Sequence, residues 1–370
     1  METAHDVFVG NSTSLSEVDD NEVELVVTSP PYPMIEMWDD LFFSLNADIE
    51  TSLDDGDGRR AFDLMHEELA ETWEEVERVL VDGGIACINI GDATRKVDDS
   101  FRVYQNHARI TEYFDDMGFE PLPDILWRKP ANSAAKFMGS GMMPPNAYAT
   151  LEHEYLLVFR NGKQSREFPS GNDVRYESAY FWEERNEWFS DVWEDVRGTS
   201  QELTDADTEL RDRSAAYPLE VPYRLINMYS VYGDTVLDPF WGTGTTSLAA
   251  MIAARNSVGY ELQEKFTEVF DAEVAGVAEL AHATVSKRIR DHEEFVERRL
   301  EAGKEFKYDA ENYDFPVTTK QEKPLQLYTI DGVEQTESGY AVTHSPYNES
   351  ESIDGDAGGH GQATLGSQFQ

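Results

Sequence analysis

The chain has 370 residues, 40% of them hydrophobic and 12% aromatic, enough to bury a sizeable core as one large domain with appendages or as two domains. Its 73 acids against 30 bases give a formal charge of -43, which taken alone argues against a polyanionic partner, because Lys and Arg normally supply the affinity for phosphates. The acids are spread over the whole chain rather than gathered in one tail. That distribution fits a protein of a high-salt cytoplasm, kept soluble by its carboxylates, where long-range phosphate attraction is screened and short-range contacts decide. No apolar run is long enough to span a membrane, and Met1–Asn11 has acids where a signal peptide has its apolar stretch, so a cytoplasmic location is expected. The single cysteine, Cys87, excludes an intramolecular disulfide and a cysteine-based zinc site.

In chain order, Asp6–Gly10 reads as a short strand and Glu24–Val27 as a second, stopped by Pro30 and Pro31, which lack the ladder N–H. Phe62, Met65, Leu69, Trp73, Val76 and Leu80 recur at helical spacing. Asp82-Gly83-Gly84 then turns into an apolar strand around Cys87, which reads as a small core side chain. Tyr104 to Met117 reads as an amphipathic helix stopped by Gly118. Strand-like runs follow at Ile125–Trp127 and Tyr155–Phe159. Residues 161–215 are polar and aromatic with little periodicity, and form a candidate recognition insertion whose aromatics read as core. Regular alternation returns with a helix at Pro218–Tyr229, a strand at Thr235–Leu237, a helix at Thr245–Ala254 and a strand at Ser257–Tyr260. One long helix is expected from Lys265 to Ala302, broken near Ala281, then a small hairpin within 313–345. From Asn348 onward the composition predicts disorder.

Two constellations carry chemistry. In Asp238-Pro239-Phe240-Trp241-Gly242-Thr243-Gly244-Thr245-Thr246 a buried strand enters a glycine-rich bend and then a helix N-terminus, where a ligand can approach the backbone. It is neither a Walker A loop, lacking its lysine, nor G-x-G-x-x-G, since Ser247 holds the third glycine position. Glu261 ends the next strand, placed to accept hydrogen bonds from ribose hydroxyls. In Thr28-Ser29-Pro30-Pro31-Tyr32 a strand exits into a rigid ledge. The ledge offers the Ser29 hydroxyl, two backbone carbonyls free of ladder duty and the aromatic face of Tyr32, a set suited to the exocyclic amine of a planar base that has left its duplex.

Together the two tracts resemble the amino-methyltransferases of DNA restriction–modification systems over roughly residues 5–275. Thr-Ser-Pro-Pro-Tyr is similar to the family's catalytic motif and the Asp238–Thr246 tract to its cofactor motif. Their order, catalytic motif first, is similar to the permuted beta group. The resemblance implies an α/β, Rossmann-like mixed sheet with helices on both faces, circularly permuted, carrying a recognition insertion. It implies a catalytic half at 1–160, the insertion at 161–215, a cofactor half at 216–275, a helical and hairpin extension at 276–347 and a tail at 348–370. It further implies S-adenosylmethionine as cofactor, held by Asp238, Pro239, Phe240, Gly242, Gly244, Thr245, Glu261, Asn11 and Tyr217, with Asn11 standing where the family often has an acid. Ser29, Pro30, Pro31 and Tyr32 would form the catalytic ledge, and no metal is required.

Ser-Pro-Pro-Tyr is more typical of N4-cytosine enzymes and Asp-Pro-Pro-Tyr of N6-adenine enzymes, so N4 of cytosine is the expected target. C5 methylation would need a thiolate in a Pro-Cys loop, which Cys87 does not occupy. Double-stranded DNA with a flipped base is the expected partner, contacted by Arg128, Lys129 and Lys136. A second basic island comprises Arg95, Lys96, Arg102 and Arg109, and Arg175, Arg185 and Arg197 are available in the insertion. The acidic form is similar to haloarchaeal enzymes with short palindromic sites such as CTAG. The resemblance leaves room for a cognate restriction endonuclease, for a solitary enzyme and for a homodimer. The alternatives are an N6-adenine DNA enzyme, a methyltransferase of RNA or small amines, and a silent DNA-binding protein that keeps the fold.

Overall fold

The structure is a computed structural model, and it describes residues 1–129, 148–197 and 217–348. The strands are β1 (Glu2–Val9), β2 (Val23–Thr28), β3 (Leu80–Ile90), β4 (Ala93–Val97), β5 (Ser100–Tyr104), β6 (Glu120–Pro121), β7 (Ile125–Arg128), β8 (His153–Arg160), β9 (Val192–Trp193), β10 (Thr235–Asp238), β11 (Asn256–Glu261), β12 (Tyr308–Asp309), β13 (Pro316–Val317), β14 (Tyr328–Gln335) and β15 (Gly339–Pro346). The helices are α1 (Asp39–Leu45), α2 (Ala47–Asp54), α3 (Gly58–Val79), α4 (Asn106–Asp116), α5 (Asp173–Glu177), α6 (Trp182–Trp188), α7 (Glu220–Tyr229), α8 (Thr245–Ile252), α9 (Lys265–Val274) and α10 (Val277–Glu301).

One mixed sheet organises the chain, in the order β14-β15-β1-β11-β10-β2-β3-β8-β7-β9, with β6 also paired to β8. The five strands from β1 to β3 run parallel, β8 runs antiparallel to β3, and β7 is antiparallel to β8 in turn. Side chains of the central strands alternate between two cores, as a period of two requires. Leu25, Val27, Cys87 and Val236 face the layer of α7, α8, α9 and α10. Val26, Ala86, Ile88 and Leu237 face the layer of α1, α3 and α4. Burial on both faces is what makes these strands near-continuous apolar runs. In α3 the apolar spacing places Met65, Leu69, Trp73 and Val76 on the sheet side, and the Asp57 side chain caps the helix by accepting from the Arg60 N–H.

Several elements differ from their sequence reading. β3 begins at Leu80, so Asp82-Gly83-Gly84 lies inside the strand, at a shift in its register with β2. Residues 36–54 and the β4–β5 hairpin are ordered although no periodicity announced them. The long helix breaks at Ala275-Gly276 rather than near Ala281. The expected small hairpin is the β14–β15 pair, and it extends the main sheet by pairing with β1. Trp188 and Trp193 of the insertion belong to the main core and Phe181 joins α10 and Phe315 in a satellite core, whereas Tyr176, Trp182 and Phe189 are exposed, so the insertion's aromatics are only partly the core residues expected. Residues 198–216 of the insertion and 349–370 of the tail lie outside the described residues.

Strands β10 and β2 are parallel neighbours whose following helices lie on opposite faces of the sheet. The chain therefore leaves their carboxyl ends in opposite directions, opening the crevice where doubly wound sheets bind ligands.

Candidate active site

The crevice encloses about 1340 Å³, part of it open to solvent, and is lined by the loop after β10, the ledge after β2, the end of β11, and side chains of α1 and α3. The loop and the ledge are pinned together by Asp238, which is 4% exposed. Thr28 Oγ1 donates to Asp238 Oδ1 at 2.6 Å, Thr246 Oγ1 donates to Oδ2 at 2.6 Å, and the Phe240 N–H donates to Oδ1 at 3.1 Å. With the Thr246 proton committed, Tyr217 donates its own to Thr246 Oγ1 at 2.6 Å. Burial pushes the Asp238 carboxyl up to about 6 against these hydrogen bonds. Asp238 and Tyr217 line the crevice, and their polar groups are spent on holding the two motifs in register.

The glycine bend has an inner and an outer side. Trp241 is 2% exposed, donates from its indole to Ser247 Oγ at 2.9 Å, and fills the space beneath the bend. A Cβ on Gly244 (φ +79°) or Gly259 would collide with that indole, and one on Gly244 also with Phe270, so both glycines are dictated by packing and Gly244 is not on the crevice wall. At Gly242 the nearest atom to a Cβ would be the Phe240 carbonyl oxygen at 3.9 Å, which leaves open space on the crevice side. Its N–H donates to Glu261 Oε2 at 2.9 Å, and the Gln263 N–H donates to Glu261 Oε1 at 2.9 Å. Burial raises the Glu261 carboxyl. Each oxygen keeps acceptor capacity toward the crevice, since a carboxylate offers about four lone-pair sites. Asn11, Pro239, Phe240 and Thr245 also line it.

Ser29, Pro30 and Pro31 form the opposite wall. Tyr32 is half-buried beside them, with one edge of its ring close to Gly91, and it does not line this crevice. The Tyr32 hydroxyl donates to Glu154 Oε2 at 3.0 Å and receives the Ser29 Oγ–H at 3.3 Å and the Asn89 amide at 2.8 Å. Burial and the Glu154 carboxylate hold the phenol well above its ordinary range, so Tyr32 keeps its proton. Asn89 and Glu154 were not among the expected site residues. Their signals were faint: an amide inside the apolar run Ile85–Ile90, and an acid at the head of the apolar run Tyr155–Phe159.

The expected DNA contacts are engaged with acids. Lys129 Nζ donates to Glu154 Oε1 at 2.9 Å, and Arg128 reaches Glu194 at 3.1 Å and Glu152 at 3.4 Å. Lys136 lies outside the described residues. In the second island Arg95 binds Asp39 through two contacts of 2.7 Å, Arg109 meets Asp63 at 2.8 Å, and Lys96 meets Asp99 at 3.3 Å. Arg175 lies over Phe168 and Arg185 over Phe189, and Arg197 is exposed.

The DNA methylase family of N6 and N4 enzymes matches residues 23–272. The type II methyltransferase M.MthZI of Methanothermobacter thermautotrophicus is 52% identical over 331 residues, 89% of this chain and 91% of that protein. The type II methyltransferase M.MjaI of Methanocaldococcus jannaschii is 48% identical over 283 residues, 74% of this chain and 91% of that protein. Among solved structures, a DNA modification methylase of Thermus thermophilus, complexed with S-adenosyl-L-methionine, superposes with a TM-score of 0.58 at 28% identity, covering 74% of this chain and 94% of that one. The chain belongs to the N6/N4 family of DNA methylases, S-adenosylmethionine-dependent enzymes that act on DNA.

Proposed function

We infer that this enzyme methylates N4 of cytosine in a short DNA site, with the target base flipped against the Ser29–Tyr32 ledge. The observation that carries the reading is Ser29 on the crevice wall. It puts a neutral hydroxyl, donating onward to Tyr32, where an Asp-Pro-Pro-Tyr enzyme would present a carboxylate. The order of the motifs along the chain supports membership of the permuted beta group.

The residues present fit the methyl donor. Glu261 edges the crevice with acceptors for a ribose diol, Phe240 and Leu262 supply apolar surface, and Gly242 leaves the backbone approachable. Asn11, Pro239 and Thr245 complete that wall, Gly244 shapes it from below, and Asp238 and Tyr217 act through the Thr246 pin. When bound, S-adenosylmethionine supplies an electrophilic methyl group. The part of this chain is then to hold the amine in line, with its N–H bonds on the Ser29 and Pro30 acceptors and its lone pair toward the methyl, so that catalysis is mostly positioning.

In this reading Arg128 exchanges its carboxylate partners for a DNA phosphate while Lys129 stays paired with Glu154, and the 161–215 insertion sets the site that is read. The acidic surface adapts the enzyme to high salt. The test is base-resolved sequencing of DNA from cells expressing the protein against an empty-vector control. N4-methylcytosine at one motif is the expected result. N6-methyladenine at one motif would overturn the Ser29 argument and leave the family intact.

A further inference from the structure

The ledge does not end at Tyr32. Its polar atoms continue into a buried network that joins β2 to β3 and β8, and the hydrogen bonds in that network run in one direction. Ser29 Oγ donates to Tyr32 Oη at 3.3 Å, and Tyr32 Oη donates to Glu154 Oε2 at 3.0 Å. The direction is imposed by Asn89, which is 2% exposed. Its Nδ2 donates to Tyr32 Oη at 2.8 Å, to Glu154 Oε2 at 2.9 Å and, more weakly, to Ser29 Oγ at 3.4 Å. An amide nitrogen can only donate, and its two hydrogens are best placed on Tyr32 Oη and Glu154 Oε2, so the Tyr32 proton goes to the carboxylate and Tyr32 Oη is left to accept from Ser29. Glu154 Oε1 is held by Lys129 Nζ at 2.9 Å, which keeps a cation beside the carboxylate at the end of the line. Asn89 Oδ1 is buried and has no hydrogen-bond partner among the described residues, so the hydrogen bonds seen for this amide are those its NH2 donates.

We propose that Ser29, Tyr32 and Glu154 form a proton wire that carries the surplus proton from the methylated amine to the Glu154 carboxylate. This rests on the reading of the ledge as the amine site. When the nitrogen lone pair bonds to the methyl carbon, the carbon–sulfur bond breaks with its electron pair left on sulfur, and the nitrogen holds one proton too many. That N–H proton passes to Ser29 Oγ as the Ser29 proton passes to Tyr32 Oη and the Tyr32 proton to Glu154 Oε2. The products are a neutral methylamine and a neutral carboxylic acid, and no hydroxyl changes its net protonation. Glu154 never touches the base: it acts through Tyr32, and Asn89 and Lys129 position it.

The test compares Tyr32→Phe, Glu154→Gln and the double variant in single-turnover methylation of duplex DNA, with dissociation constants for S-adenosylmethionine and DNA measured alongside. Each single variant is expected to lose on the order of 10²-fold in rate with both dissociation constants unchanged. The double variant is expected to be no slower than the slower single one, because members of one wire fail together. A wild-type rate in Glu154→Gln, effects that multiply in the double variant, or affinity losses that match the rate losses would each overturn the wire. Failure of the underlying reading looks different: the wild-type enzyme itself would then leave no methylated amine in DNA.

Discussion

The loop after β10 and the ledge after β2 face each other across one crevice, yet they are built from different amounts of sequence. Much of the loop is held from within: Asp238, Trp241, Gly244, Thr246 and Ser247 lie within ten residues and bond or pack against one another, with Thr28, Glu261 and Phe270 completing the support. The ledge is short, and what governs its polar atoms comes from Asn89 and Glu154, 57 and 122 positions beyond Tyr32. A contiguous motif brings its own supports, whereas a ledge at the end of a strand borrows them from whichever strands the topology sets beside it. Damage to the loop should therefore reach the cofactor first, and damage to the ledge's supports should reach the rate alone.

The largest effect is expected at the inner side of the bend. Gly244→Val adds a side chain at φ +79° and drives it into Trp241 and Phe270. Positive φ and overpacking together should cost about 3 kcal/mol and abolish cofactor binding. Urea denaturation and calorimetric titration check it, and a stable variant that still binds S-adenosylmethionine would mean that the bend tolerates rebuilding. Next is Asp238→Ala, which strands the Thr28 hydroxyl and the Phe240 N–H and leaves the Thr246 hydroxyl only the Val27 carbonyl at 3.3 Å. It should cost on the order of 2 kcal/mol in stability. Since Asp238 bonds both motifs, it should weaken cofactor affinity and slow transfer together, and a variant that loses only one of these would show the two halves to be independent.

The smallest effect at the site should come from the far edge of the sheet. There Thr3 Oγ1 bonds His5 at 2.9 Å and His344 at 2.8 Å, with His5 also on Ser257 at 2.8 Å. Burial lowers His5 to about 3 and His344 to about 4, so both are neutral in the folded chain. Their pKa values are depressed on folding, so this contribution to stability is fully present above the ordinary histidine value near 6.5 and is lost as pH falls toward 4. Denaturation midpoints should be level above pH 7 and drop between pH 6.5 and 4, and the drop should shrink in His344→Gln. An unchanged drop would place the acid sensitivity elsewhere.

Much of the fold was legible because it is locally written. The spacing of Met65, Leu69, Trp73 and Val76 needs only one helix to explain it, and the apolar runs of β2, β3 and β10 report burial on both faces. Elements with little periodicity of their own went unread. Residues 36–54 fold as short helices that contribute Trp38, Leu41 and Leu45 to the crevice, and β4 and β5 are five residues each. The break between α9 and α10 falls at Gly276, a residue without a helical side-chain preference, rather than near Ala281, which is buried in the core of an unbroken helix.

The sequence by itself determined the two motifs, their order and the chemistry they could perform, because each is a run of neighbours whose strain, donors and acceptors are covalently close. Only the tertiary structure decided that Gly244 answers to Trp241 and Phe270 while Gly242 faces the crevice, that Asp238 is a strut between two motifs 210 positions apart, and that Lys129 meets a carboxylate in the ledge network. The physical reason is the same in each case. A side chain's role in a buried site is set by which hydrogen-bonding partners lie within about 3 Å, and strand order, not distance along the chain, chooses those partners.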